Sequence, residues 1–444
     1  MLKRITDTLH KRKDLKGWTV RHLVSREAQL YGVPATLESR RLVSHECFVV
    51  DVLRETPGPD GSPTCGAGKV TLRSGDDIAA GIDTAAQAAG LTHNPPYSLP
   101  RPSAPPQVKL TDPRIQADPT GTAEGLMVRL YAAPIASPQV RMATAECYVE
   151  EETTHLVNSR GLDVVQVATR ADIEWVLIAR APDQETESFV LLSRRRAADL
   201  DLEGEMASQA QSALDLLEAG PAPDYQGPVV LRDSTLADFL CGDSLSGGVL
   251  QFRSSAEAKF NKLTTWEVGE SIFRTEPTGD PFSLWATRRL PYGTHAARFD
   301  NEGIPAQRVA LIDQGKLVTF VAGQRHAEYL GIPATGEFGD IEIPPGRTPA
   351  SALLADRHVE VVTFSWFNPD PVTGDFATEI RLGYLVEDGR RKPFRGGLLV
   401  GNFIDALADV RWSKETGFFG GYRGPRVARF GALRVASKGA DGTN

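Results

Sequence analysis

The sequence contains little cysteine. Cys47, Cys65, Cys147 and Cys241 are the only four among 444 residues, and no two of them form a C-x-x-C pair. Disulfide-rich secreted proteins and structural zinc sites both depend on paired cysteines at short spacing. The low count therefore excludes a disulfide framework, indicates reduced thiols and leads us to expect a cytoplasmic protein.

Long apolar runs are also missing. No stretch approaches the roughly 20 apolar residues that a membrane-spanning helix requires. The first segment, MLKRITDTLHKRKDLKG, begins with basic residues but lacks the apolar core of a signal peptide. Its Leu2, Ile5 and Leu9 fall on one helical face and predict a surface helix. We expect no contact with a membrane.

A concentrated basic surface is missing too. Lys and Arg number 49 against 57 Asp and Glu, which gives a formal net charge of −8. Proteins that bind nucleic acid normally carry a basic patch or stripe. The one short cluster, Arg194-Arg195-Arg196, is interpreted as the solvated end of a strand. The charge balance therefore argues against direct binding of nucleic acid.

Glycine and proline, by contrast, are abundant, with 41 and 30 residues, and they favour many turns and a strand-rich fold. Apolar residues at helical spacing predict a helix over 78–89, after a start signal at Ser74 to Asp77, and another over 201–218. Alternating apolar and polar residues predict strands within 18–54 and an antiparallel meander over 140–193.

These patterns predict an α+β protein, with an N-terminal α/β region containing the meander and a strand-rich C-terminal domain. A chain of this length exceeds what one hydrophobic core usually serves. The segment NPPYSLPRPSAPP contains six prolines and is typical of an extended spacer. We therefore predict an N-terminal α+β domain, a Pro-rich linker, a middle α+β domain and the C-terminal domain, over 1–93, 94–117, 118–220 and 226–438.

The stretch FLCGDSLSGG at 239–248 offers two candidate nucleophiles, Cys241 and Ser244. Its Gly-Asp-Ser-Leu letters match the block that gives the GDSL hydrolases their name. A nucleophilic serine needs a base and an acid that orients that base, and these hydrolases supply both from a late D-x-x-H. None of the downstream histidines, His295, His326 and His358, has Asp three residues before it. A hydrolase using Ser244 or Cys241 stays open as an alternative.

Metal-binding patterns are weak. Neither HExxH nor HExxxH occurs, and no two histidines are four residues apart. A helical zinc site needs two histidines on one face and a glutamate beside the first. Several carboxylates cluster near glycines and prolines, where they either stabilise turns or bind a hard cation: Asp300, Glu302, Asp370, Asp375 and Glu379. We expect no zinc site of the usual kind in this chain.

The segment 299–336 resembles the TldD/PmbA family, the "modulator of DNA gyrase" proteins. The resemblance is carried by motifs that occur in family order: Phe299-Asp300-x-Glu302-Gly303, a hairpin with Gly315, Thr335-Gly336, Thr373-Gly374-Asp375-Phe376 and Gly401-Asn402. It covers most of residues 130–435. The C-terminal domain is therefore expected to be of the TldD/PmbA type.

The resemblance implies two subunits around an internal cavity into which an extended peptide threads. In that family the active, TldD-like subunit binds zinc with HExxxH and a late cysteine. Here Cys241, Gly242 and Ser246 stand where the first His, the Glu and the second His belong. No His lies between 156 and 294, and no Cys follows Cys241. The resemblance thus implies no intact catalytic residue and no metal or cofactor here, with zinc expected only in a TldD-like partner.

The Ser246-Gly247-Gly248 run and the later Ser254 resemble the PmbA/TldE-like branch, which lacks the metal ligands. We therefore expect a non-catalytic subunit that pairs with a TldD-like chain and acts on unfolded or extended peptides. The expected groove for peptide or partner consists of Gly247, Gly248, Ser254, Asp300, Glu302, Thr335 and Asp375. A stand-alone homodimer that binds peptides is the other alternative.

Overall fold

The computed structural model describes residues 1–34, 36–242 and 248–437. The N-terminal half contains six long strands: β1 (Gly17–Val33), β2 (Thr36–Pro57), β3 (Pro63–Leu72), β4 (Val140–Asn158), β5 (Asp163–Ala181) and β6 (Gln184–Arg194). Its helices are α1 (Leu2–His10), α2 (Ile78–Ala89), α3 (Pro113–Ala117), α4 (Pro119–Ala132) and α5 (Leu202–Glu218), with a 3₁₀ turn at Ala197–Asp199. The predicted meander is confirmed as β4, β5 and β6.

All six strands form one antiparallel sheet in the order β3-β2-β1-β4-β5-β6. Its two halves are joined by β1 and β4, which pair from Thr19 opposite Asn158 to Gly32 opposite Ala145. The sheet therefore runs without a break through the predicted regions 1–93 and 118–220. The domain boundaries themselves stay a prediction.

Local signals account for two of the three helices that the sequence predicts. Asp77 caps α2 by accepting hydrogen bonds from the backbone N–H groups of Ala79 and Ala80, at 2.9 and 3.1 Å. Asp201 caps α5 in the same way, through the N–H of Gly204 at 3.1 Å. Both helices are confirmed, and both bury their apolar stripe against the same face of the sheet.

Two helices between the proline-rich segment and β4 were not predicted. Asp112 caps α3 and is followed by Pro113, and Asp118 caps α4 and is followed by Pro119. Proline is favoured at the first helical position because its missing N–H has no partner there in any case. The end of the predicted linker is therefore helical, and the capping Asp-Pro pairs were the available signal.

The C-terminal half is strand-rich, as predicted. Its strands are β7 (Gly220–Pro221), β8 (Tyr225–Arg232), β9 (Leu284–Thr287), β10 (Arg308–Asp313), β11 (Lys316–Leu317), β12 (Asp340–Glu342), β13 (His358–Phe364), β14 (Asp375–Glu387), β15 (Arg390–Arg395), β16 (Leu398–Asn402), β17 (Arg411–Trp412), β18 (Thr416–Phe419), β19 (Tyr422–Pro425) and β20 (Val427–Ala436). Its helices are α6 (Asp233–Cys241), α7 (Val249–Arg253), α8 (Ala256–Phe260), α9 (Gln324–Leu330), α10 (Ala350–Leu353) and α11 (Phe403–Ala408).

These strands form two sheets. One has the order β11-β10-β9-β12-β19-β18, and the other has the order β13-β8-β20-β16-β14-β15-β7. In the second sheet β13 also pairs with β14, so that β13, β8, β20, β16 and β14 close into a ring. Helix α6 packs its Phe239 into the core between the sheets. In the described residues, no helix is long and apolar enough to cross a membrane.

Candidate functional site

The FLCGDSLSGG stretch lies at the end of α6. The helix ends at Cys241, and Gly242 has φ 68° and ψ −177° while its N–H donates to the carbonyl of Asp238 at 3.0 Å. This combination of φ and ψ is open essentially only to glycine. The chain therefore leaves the helix at Gly242.

Ser244, Ser246 and Gly247 lie outside the described residues. The description resumes at Gly248, where an added Cβ would lie 2.7 Å from the carbonyl oxygen of Cys241. The chain thus returns directly against the end of α6 before α7 begins at Val249. Glycine at position 248 permits this close approach of two backbone segments.

The Cys241 thiol is half-buried. Burial raises its pKa, and the carboxylates of Asp238 and Asp340 raise it further. Because the thiolate is both the nucleophile and the metal ligand, a raised pKa makes a cysteine inert at neutral pH. The surroundings of Cys241 argue against the alternative in which it serves as a nucleophile.

Ser254 connects this region to the segment that begins α9. Its side chain is buried, with a hydroxyl that donates to the carbonyl of Leu250 at 2.6 Å. Its own carbonyl accepts a hydrogen bond from the N–H of Val321 at 2.8 Å. The buried Ser254 therefore positions the backbone of 321–324 and presents no free hydroxyl to a groove.

Asp300, Glu302 and Thr335 meet around the same segment. Asp300 is buried and accepts hydrogen bonds from the N–H groups of Glu302 and Ile304, both at 2.9 Å. Glu302 Oε2 accepts from the N–H of Gln324 at 2.8 Å, and Thr335 Oγ1 accepts from the N–H of Ala322 at 2.8 Å. The structure thus brings these three predicted groove residues together. Ser254 is linked to the same segment through the N–H of Val321.

Asp375 lies apart from them, at the first position of β14 and directly after a turn. Its carboxylate accepts a hydrogen bond from the side chain of Asn402 at 2.8 Å. This bond and one from the Thr373 side chain hold the pKa of Asp375 below its usual range. The same Asn402 donates to the carbonyl of Thr373 and caps α11. The contacts of Asp375 are those of a residue that stabilises a turn, next to Gly374 with φ 82°.

A buried polar cluster that sequence reasoning missed lies near Cys241. Asp340 is fully buried, with one oxygen accepting from the N–H of His295 at 2.9 Å and the other without a partner in the described residues. Burial raises the pKa of Asp340 to about 7. Arg195 holds the adjoining loop by donating to the carbonyls of Gly293, Thr294 and Ala296.

The interpretation of Arg195 as part of a solvated strand end is therefore wrong. Its guanidinium is largely withdrawn from water, and burial lowers its pKa. The five donors of an arginine suit it to several backbone carbonyls at once. A run of three arginines in the sequence does not distinguish such an anchor from a surface cation, because the loop that it binds lies about a hundred residues later.

The family of the chain follows from its C-terminal half. Residues 226–437 match the model of the PmbA/TldA metallopeptidase C-terminal domain, and the motifs at 299–303, 335–336, 373–376 and 401–402 all lie inside that range. This half of the chain belongs to the PmbA/TldD family. The predicted resemblance and the predicted fold class are both confirmed.

Individual relatives are distant. An uncharacterized protein of Methanocaldococcus jannaschii is 23% identical over 266 residues, which cover 57% of this chain and 60% of that protein. A zinc metalloprotease TldD homolog of Saccharolobus solfataricus is 20% identical over 305 residues, which cover 64% of this chain and 66% of that protein. The chain thus spans somewhat less than two thirds of the length of these two relatives.

Among solved structures, TldE from Thermococcus kodakarensis is similar to this chain over nearly its whole length. The match has a TM-score of 0.80 and covers 97% of this chain and 100% of that one, at 20% sequence identity. At this identity the likeness establishes the fold. The likeness includes the N-terminal half, which lies outside the matched C-terminal domain.

The PmbA/TldD motifs of this chain have structural explanations. Asp300 of the first motif binds three backbone N–H groups, and Asn402 of the last ties a turn to a helix. In the part of the chain that the structure describes, no group of three or more His, Cys, Asp or Glu side chains is arranged to hold a metal ion.

The backbone at Gly242 supports a testable prediction. We expect Gly242→Glu, which places a carboxylate at the position of the family's glutamate, to lower the free energy of unfolding by about 1–3 kcal/mol, because a side chain is strained at this φ and ψ. We expect it to create no peptidase activity. Denaturation curves and a peptide-cleavage assay check both statements.

Gly242→Ala separates strain from the added charge, and Gly125→Ala is the matched control. Gly125 lies within α4 with nothing within 4 Å of its added Cβ, so alanine there should stabilise the helix by about 0.5–1 kcal/mol. If Gly242→Ala and Gly125→Ala change stability alike, the conformation assigned to Gly242 is wrong.

Proposed function

We propose that this chain is the non-catalytic, TldE-like subunit of a TldD/TldE-type metallopeptidase complex. In this proposal it pairs with a metal-bearing TldD-like chain in the cytoplasm, and the pair acts on unfolded or extended peptides. The observation that carries the proposal is the end of α6 at Cys241, followed by a glycine with φ 68°. The HExxxH pattern requires a helical glutamate directly after the first histidine. The backbone conformation at Gly242 does not allow a helix to continue there.

The residues at the family's metal positions do not fit a catalytic zinc ion. Gly242 has no side chain to accept a proton from water, and the Cys241 thiol has a raised pKa. A lone cysteine does not hold catalytic zinc, which is normally bound by three protein ligands. In this proposal the catalytic zinc ion is therefore bound by the partner and not by this chain.

Peptide binding is supported by the open edges of the sheets. Strand β6 is an edge of the first sheet, and its Phe189 and Leu191 side chains are 49% and 55% exposed. An extended peptide that adds to such an edge is held by backbone hydrogen bonds, so that many sequences are accepted. This mode of binding suits unfolded substrates and needs no catalytic residue in the chain that binds.

The test uses the full chain alone and co-expressed with a TldD-like chain from the same genome. We expect the chain alone to contain no stoichiometric zinc and to cleave no unfolded peptide. We expect the co-purified pair to contain zinc and to lose its peptidase activity on chelation. Metal analysis, size measurement and a cleavage assay provide the three readouts.

Three results would contradict the proposal in different ways. Stoichiometric zinc and chelator-sensitive cleavage by the chain alone would make it a metallopeptidase. A stable homodimer of this chain that does not bind the TldD-like chain would support the homodimeric peptide-binding protein. Labelling by a fluorophosphonate that Ser244→Ala abolishes, or by a thiol probe that Cys241→Ala abolishes, would support the hydrolase.

A further inference from the structure

A small polar cavity lies between the first sheet and the Phe299–Gly303 motif. It has a volume of about 180 Å³, and its walls include Arg21 on β1, Asp51 on β2, Lys69 on β3, Tyr97, and Glu302. At roughly 30 Å³ per water molecule, this volume corresponds to about six waters. The Glu302 cavity is therefore of the size of one amino-acid residue and too small for a folded or extended chain.

Glu302 is an acid without a cation in this cavity. Its Oε2 accepts a hydrogen bond from the N–H of Gln324 at 2.8 Å, while Oε1 accepts none from the described residues. No Lys or Arg of the described chain forms an ion pair with it. Burial and the carboxylate of Asp300 raise the pKa of Glu302 to about 7. A carboxylate in such surroundings is stabilised when a positive group enters.

The cations of the cavity are engaged on the opposite wall. Arg21 donates to the side-chain oxygen of Asn301 at 2.7 Å and to Asp51 at 3.4 Å, and Lys69 lies 3.4 Å from the other oxygen of Asp51. Both cations keep N–H groups beyond these pairings, because a guanidinium has five donors and an ammonium group has three. The Nε of Arg21 is buried without an acceptor among the described residues. The Lys69 side chain is 61% exposed, so the cavity is open to solvent beside it.

The cavity thus presents an unpaired acceptor on one wall and spare donors on the other. The complementary ligand is small, with an ammonium group and an oxygen acceptor on adjacent atoms. An α-ammonium group followed by a carbonyl or carboxylate has this arrangement, and charged hydrogen bonds of this kind are the strong ones in proteins. A neutral or purely anionic ligand leaves Glu302 unpaired.

We propose that the Glu302 cavity binds the α-ammonium end of a peptide or a free amino acid. Glu302 accepts hydrogen bonds from the ammonium group, and Arg21 and Lys69 donate to the neighbouring oxygen. The proposal deepens the peptide-binding role proposed above, and it concerns this chain alone. A failure to find a TldD-like partner therefore leaves it standing, and a failure of the cavity to bind leaves the pairing untouched.

The experiment is calorimetric titration of the purified full chain with three probes. These are alanyl-alanine amide, its N-acetylated form and free alanine. We expect saturable binding of the first probe and none of the acetylated one, because acetylation removes the positive charge. Free alanine binding as well as the dipeptide amide identifies an amino-acid site, and the dipeptide amide binding alone identifies a peptide end.

Glu302→Gln is expected to weaken binding by about tenfold or more, since the amide keeps the size and an acceptor oxygen but loses the charge. Glu203→Gln is the matched control, because Glu203 is a carboxylate on α5 that pairs with Arg129 at 2.8 Å and lies outside the cavity. It should bind as the unmodified chain does. Thermal denaturation of both variants establishes that each is folded.

Any of three outcomes would overturn the proposal. One is the absence of saturable binding by both unacetylated probes to the unmodified chain. The second is binding of the acetylated probe with the affinity of the free amine, and the third is an unchanged affinity in folded Glu302→Gln.

Discussion

Phe239→Ala is expected to lower the free energy of unfolding by about 3–5 kcal/mol, which is the usual cost of truncating a buried phenylalanine to alanine. Phe239 is 1% exposed on α6. Its ring centroid lies within 6 Å of four other rings, at distances of 4.9, 5.8, 4.8 and 5.1 Å from those of Phe367, Phe376, Phe403 and Phe430. The deletion leaves a cavity that four rings on different elements cannot fill together.

Chemical denaturation measures this effect as a lower midpoint at an unchanged slope. The matched control is Phe189→Ala on β6, where the side chain is 49% exposed and truncation should change stability by less than about 1 kcal/mol. Similar losses in the two variants would show that the rings around Phe239 do not form the core described above. Because Phe239 fixes α6, its loss should also disturb Cys241 and Gly242 at the end of that helix.

Asp300→Ala is expected to destabilise the chain by about 2–4 kcal/mol. It removes the acceptor for the N–H groups of Glu302, Ile304 and Glu337, and a buried donor without an acceptor costs roughly 1–3 kcal/mol. The removal of a buried charge offsets part of this loss. Asp300→Asn keeps an acceptor oxygen for the first two N–H groups, so its loss should be much smaller.

The stability of the unmodified chain and that of Asp300→Asn are expected to depend differently on pH. Burial, and then the carboxylate of Glu337, raises the pKa of Asp300 to about 6, against about 3.9 in an unfolded chain. The folded state therefore binds this proton more tightly than the unfolded state, and stability falls as the pH rises from about 4 to about 6. About two pKa units correspond to roughly 3 kcal/mol.

Asp300→Asn cannot lose that proton. Its stability relative to the unmodified chain should therefore improve by roughly 2 kcal/mol between pH of about 4.5 and about 7. Asp340, whose pKa is raised to about 7, titrates in both proteins and largely cancels from this difference. Glu302 cancels only in part, because the Asp300 carboxylate contributes to its raised pKa; the loss of that charge in the variant changes the difference in the same direction. Parallel denaturation series at the two pH values make the measurement. A difference that stays constant, or that changes in the opposite direction, contradicts the burial assigned to Asp300.

Local features were predicted well because their causes are local. The start of α2 at Asp77 depends on a side chain and N–H groups two and three residues away. The asparagine of the Gly401-Asn402 motif could be recognised in the sequence, but its role could not. Asn402 binds Thr373 and Asp375, and this contact exists only when β14 and β16 are paired.

Residues whose role depends on distant partners were missed or misinterpreted. The sequence predicts a surface cation at Arg195, because nothing near it in the chain indicates a partner. The carbonyls that it binds are supplied by the distant 293–296 loop. Asp340 has no distinguishing pattern around it, and its burial arises from elements on both sides of it in the sequence. The contacts of Ser254 and Asp375 within the fold stabilise the backbone, and their place in a groove stays a prediction.

The sequence by itself determined the family, the α+β class and the replacement of the family's His, Glu and His by Cys241, Gly242 and Ser246, because residue identity and order are sufficient for these. Only the tertiary structure decided that α6 ends at Cys241, and that Glu302 faces a cavity whose cations are engaged elsewhere. The physical reason is that burial and hydrogen bonding depend on the residues that the fold brings close. In the Glu302 cavity these come from β1, β2, β3 and the Phe299–Gly303 motif, which are far apart in the chain.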